Sequence, residues 1–74
     1  MVYEKVTLPI ARKMAGLTQI GLANALNVSE STVINWEKGR SEPTVTQALQ
    51  ISEVVRRPID SIIFLPKNAV KPQS

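Results

Sequence analysis

Glu30, Ser31 and Asn35 are short to medium side chains that end in hydrogen-bonding atoms. On a helix opened by Ser29 they fall opposite Val33, and they have the length that base edges in a nucleic-acid groove require. Glu30 also has a plainer reading. In a first helical turn it complements the positive end of the helix dipole, and beside phosphates its charge is tolerable only where it accepts from a cytosine amino group. Chemistry of other kinds has little to stand on. The chain has no cysteine and no histidine, which removes disulfides, thiolate metal sites, the usual zinc ligand sets and His-dependent triads. With no nucleophile paired to a base and no phosphate loop, the sequence predicts no catalysis, no metal, no cofactor and no small-molecule ligand.

The elements that must carry these residues are short helices separated by punctuation. Thr7 before Leu8-Pro9-Ile10 reads as a cap followed by a first-turn proline, whose missing N–H removes no helical bond. This first helix is expected to run to about Ala15, where Gly16 supplies a left-handed stop. Thr18 caps a second helix with Ile20, Ala23 and Leu26 on one face, ending at Asn27, which tolerates the left-handed conformation. Ser29 caps a third, Glu30 to Lys38, in which Val33, Ile34 and Trp36 supply apolar groups before Gly39. Val33 and Trp36 are assigned to the core. Thr44 and Gln47 form a capping box ahead of a fourth helix through Val45, Ala48, Ile51, Ser52 and Val55. Beyond Pro58, the residues Ile59, Ile62, Ile63 and Phe64 predict a fifth, with Asp60 in its first turn and Pro66 closing it. No alternation is long enough to predict a sheet. The expected domain is residues 1–66, followed by a flexible tail over 67–74.

Seventy-four residues, 43% apolar and 20% charged, are enough for one small folded domain. The apolar run Ile62–Pro66 is far short of the roughly 18 residues of a membrane span. Met1 to Thr7 contains Glu4 and has no apolar core segment, unlike a signal peptide. A cytosolic, nucleoid-associated protein is expected. The formal charge of +3 favours a polyanionic partner but is too small to identify one.

The ordered set Gly16-Leu17-Thr18-Gln19, Leu22-Ala23, Leu26, Val28-Ser29, Ser31-Thr32-Val33, Trp36-Glu37-Lys38-Gly39 and Pro43 resembles the Cro/CI (XRE-type) helix-turn-helix family of phage and bacterial repressors. The likeness covers about residues 8 to 65. It implies an all-α, compact five-helix bundle of the lambda-repressor-like DNA-binding kind, with the third helix in the major groove. At matching positions it implies base reading by Glu30, Ser31, Thr32 and Asn35, with Thr32 touching base or backbone. It implies phosphate contacts from Gln19, Lys38 and Arg40, and a structural ion pair between Arg12 and Glu37. Gln19 has the alternative of simply favouring helix formation, and Lys38 and Arg40 of being solvated charges. Gly21, Asn27, Arg57 and Pro58 depart from the family pattern, the last two where the final helix must pack.

The implied function is a Cro-like repressor binding double-stranded operator DNA as a homodimer. A single recognition helix touches few base pairs, and two copies on half-sites about one helical turn apart remedy this. The apolar stretch Ile59, Ile62, Ile63, Phe64 and Leu65 is the expected partner surface. Two rival readings are an antirepressor that binds a phage repressor protein and an antitoxin that represses its own operon.

Overall fold

Side-chain caps set where the helices begin. In the computed structural model, which describes residues 3–65, Thr18 Oγ1 accepts from Gly21 N at 2.8 Å and Ser29 Oγ from Thr32 N at 3.1 Å. Thr44 and Gln47 complete their capping box in both directions. The helices so begun are α2 (Gln19–Leu26), α3 (Glu30–Glu37) and α4 (Val45–Val55), and α1 (Leu8–Met14) precedes them. Thr7 precedes α1 in the capping place but makes no side-chain cap. Its backbone belongs instead to a two-residue strand, β1 (Val6–Thr7).

All four helices end in one way, with a left-handed residue whose following N–H reaches back to the last turn. The left-handed positions are Gly16, Asn27, Gly39 and Arg56, and the closing bonds run from Leu17 N to Arg12 O, Val28 N to Ala23 O, Arg40 N to Asn35 O and Arg57 N to Ser52 O. Each lies within 2.9–3.1 Å. The chain therefore reverses in very few residues, and the helices stay short.

The fifth helix is not there. Residues Ile59–Ser61 form a single 3-10 turn, and Ile62–Ile63 form a strand, β2, which pairs in parallel with β1 in the register Val6 to Ile62 and Thr7 to Ile63. Among the described residues the fold is thus four helices with a small two-stranded sheet, rather than the all-α five-helix bundle expected. Two causes act together. Ser61 closes the turn on Pro58 O through both its N–H and its Oγ, at 2.9 and 2.7 Å, and the β-branched pair Ile62-Ile63 then favours extended backbone once β1 supplies partners. The tail expected over residues 67–74 lies outside the described residues.

Leu8, Leu22, Val33 and Ile51 are the largest fully buried side chains, joined by Trp36, Val55 and Ile62. Ile20, expected on the inner face of α2, is 52% exposed. Leu22, Ala23 and Leu26 define that face, and a residue two positions before Leu22 points the other way at 3.6 residues per turn. Arg57, one of the departures from the family pattern, joins the segments that lead into the two strands. Its Nη2 donates to Glu4 O, its Nε donates to Ser61 Oγ at 3.3 Å, and its guanidinium lies 5.1 Å from the centre of the Tyr3 ring. One side chain thereby links the segment entering β1 to the turn entering β2.

Replacing Arg57 by Met keeps the aliphatic stem and removes these contacts. The expected result is a loss of about 1–2 kcal/mol in urea unfolding, with faster amide exchange at residues 6, 7, 62 and 63 and none in α2 or α3. Equal acceleration throughout would show that Arg57 does not act on the sheet.

Candidate nucleic-acid interface

The seat of α3 is built first from small and apolar residues. Ala23, 2% exposed, lets α2 and α3 approach closely, and Asn27 at φ 60° turns the chain between them. Val33 and Trp36 hold the inner side of α3 in the core, at 0% and 4% exposure. Trp36 has no face left for stacking on a base.

A polar clamp completes the seat. Arg12 Nε donates to Glu37 Oε2 at 2.7 Å, and Nη2 donates to Oε1 at 3.3 Å, the two-pronged geometry in which guanidinium and carboxylate match best. Nη1 donates to Leu17 O at 3.0 Å. Gln19 Nε2 adds a third bond to the carboxylate, to Oε1 at 3.0 Å. Both charged side chains are under one-tenth exposed, and among the described residues no buried side-chain polar atom is left without a partner. Three helices meet on one carboxylate, from α1 (Arg12), α2 (Gln19) and α3 (Glu37).

With its inner side held, α3 turns a polar stripe outward. Ser31 and Asn35 are one turn apart on it, Ser31 exposed and Asn35 half-buried, and Glu30 is exposed in the first turn. Thr32 sits at the flank, half-buried, its Oγ1 2.9 Å from Ser29 Oγ. Lys38 is the C-terminal cap residue of α3, and Arg40 follows Gly39; both are exposed. Gln19 is the first residue of α2, with one amide hydrogen committed to Glu37 and a second remaining. Hydrogen-bonding groups of base-edge length are therefore gathered on one stripe, with cations at its C-terminal end, on a helix of the size that a major groove admits.

A profile described as helix-turn-helix matches residues 10–62. The chain belongs to the XRE-type helix-turn-helix family. An uncharacterized HTH-type transcriptional regulator from Methanothermobacter thermautotrophicus is 38% identical over 61 residues, which make up 81% of this chain and 88% of that one. No solved structure gives a significant match. Family membership makes this a DNA-binding domain, and its helix-turn-helix is α2, the turn at Asn27 and α3. No helix among the described residues is long and apolar enough to cross a membrane, and none of their acidic groups cluster as a metal site would require.

The stretch assigned to a partner surface divides. Ile62 is 5% exposed and packed in the core through β2, so it is withdrawn from that surface. Ile63 is 43% exposed, and Ile59, Phe64 and Leu65 line an open apolar groove of about 320 Å³ with Val45 and Ala48 of α4. Val45, at 76% exposure, and Leu49, one turn on, widen this face. The sequence alone assigns neither residue to the partner surface. Their spacing of four was the available signal, since it places them together and away from Ile51 and Val55. Gln19 as a donor to Glu37 was also missed, and no local pattern signals it.

Removing one partner of a buried pair leaves the other charged and desolvated. Arg12→Ala is therefore expected to cost about 3–5 kcal/mol by urea unfolding, while Arg12→Met combined with Glu37→Leu loses clearly less. A double variant no better than Arg12→Ala would show that the charges themselves supply the stability.

Proposed function

We propose that this domain is a sequence-specific transcriptional regulator of the Cro-like repressor type, binding operator DNA as a homodimer with α3 in the major groove of each half-site. The observation that carries the reading is the outward polar stripe of α3, rigidly backed by Val33, Trp36 and the Glu37 clamp. A reading helix discriminates bases only when its groups are held at fixed offsets, and here the inner side of α3 is held by both packing and hydrogen bonds. Ser31 and Asn35 are assigned to base edges, with Glu30 accepting from a cytosine amino group and Thr32 touching base or backbone. Lys38, Arg40 and the remaining amide hydrogen of Gln19 are assigned to phosphates, Gln19 helped by the positive end of α2. Such a regulator works in the cytoplasm on the nucleoid.

The groove between α4 and the segment after β2 supports the homodimer. Ile63, Phe64, Leu65, Val45 and Leu49 present apolar surface around it, on elements other than the reading helix. The same groove is the observation that favours a second reading, an antirepressor whose partner is another regulator.

Two measurements test the scheme. In selection from a random duplex pool, the chain is expected to enrich a palindromic consensus. Asn35→Ala relaxes the preference at particular positions, whereas Lys38→Ala weakens binding to all sequences and lowers the salt slope by about one. Equal loss of specificity in both variants would undo the division of roles. For the dimer, Val45→Glu with Ile63→Glu changes two exposed positions, so folding is retained while the mass by light scattering falls from dimer to monomer. A monomeric parent chain, or a dimer that persists in the variant, refutes this surface.

A further inference from the structure

Ile34 stands apart from the other apolar groups of α3. At 3.6 residues per turn it is rotated by about 100° from Val33, which places it between Glu30 and Lys38, its neighbours one turn before and after. It is half-buried, yet it is not among the partly buried apolar side chains that pack on the core, which include Val28 just before α3. An isoleucine in this place borders the Ser31–Asn35 stripe with an inflexible branched surface. The hydrogen-bonding residues beside it suit base-edge donors and acceptors. An aliphatic branch suits the apolar feature that the major groove displays, the C5-methyl of thymine, which cytosine lacks.

We propose that Ile34 is a specificity-determining residue that reads thymine in the operator by packing against its C5-methyl group. This rests on the major-groove placement of α3 proposed above. It adds a kind of readout that the polar stripe does not have: Ser31 and Asn35 recognise a base by direction, whereas Ile34 recognises one methyl group by contact, and so separates thymine from uracil, whose hydrogen-bonding edge is identical.

The test uses the full chain, a random duplex pool containing thymidine, and the recovered consensus duplex remade with deoxyuridine at each thymidine in turn. For the parent chain, uracil at one position per half-site is expected to weaken binding about fourfold per half-site, the weight of one buried methyl. Ile34→Ala binds the thymine and uracil duplexes equally while keeping its preference at the other positions. Ile34→Val, which retains the branch and preserves the fold, keeps most of the discrimination. Equal binding of both duplexes by the parent chain, or undiminished discrimination by Ile34→Ala, overturns the inference and leaves the major-groove reading in place. Failure to recover any consensus from the thymidine pool brings down that reading, and the inference with it.

Discussion

Glu37 is the last residue of α3, and its carboxylate accepts from Arg12 on α1 and Gln19 on α2. A carboxylate buried to this degree is tolerable only when its lone pairs are occupied, so α1, α2 and α3 cannot shift against one another without exposing an unpaired charge to a low-dielectric interior. The net stabilisation from such a group is small, because desolvation offsets most of the Coulombic gain. Its effect lies in geometry. A purely apolar contact lets helices slide or rotate by fractions of a turn at little cost, whereas three directional bonds to two oxygens define an orientation. The outward aim of Ser31 and Asn35 follows from that orientation.

The remaining structure serves the same end by keeping everything short. Three hydroxyl caps start α2, α3 and α4, and four left-handed residues stop the helices, so that the elements around α3 are seven to eleven residues long. Helices of this length are marginal alone, and their stability comes from the faces they bury. Ala23 and Leu22 on α2, Val33 and Trp36 on α3 and Ile51 on α4 supply those faces. Hence the domain is expected to tolerate polar variation at the exposed positions of α3, Glu30 and Ser31, far better than any change on its inside.

Much of this was legible from residue types. The caps at Thr18, Ser29 and Thr44 and the stops at Gly16, Asn27 and Gly39 act through local backbone bonds, and their residue types favour those conformations on their own account. Arg56 in the left-handed region was not legible, since arginine carries no such preference and is held there by the bonds that close α4. Nor was the strand at Ile62–Ile63. Its partner lies at the other end of the sequence, and an apolar run of this length reads equally as a helix or a strand. At the candidate interface, the outward placement of Ser31 and Asn35 follows from helical spacing around Val33, whereas Glu30, three residues before Val33 and so on its side of the helix rather than opposite it, is exposed because it opens α3. The donation from Gln19 to Glu37 spans 18 residues and depends on how α2 meets α3. Ile34 was grouped with Val33 and Trp36 by its hydrophobicity, although its angle on the helix sets it apart.

The parallel pairing of β1 with β2 has a consequence for the order in which the molecule assembles. Arg57 and Glu4 are 53 residues apart in sequence, and contacts of that span form only after the intervening chain has lost most of its freedom, whereas α2 and α3 meet across a three-residue turn. Loop-closure cost therefore favours early contact between α2 and α3 and late closure of the two strands.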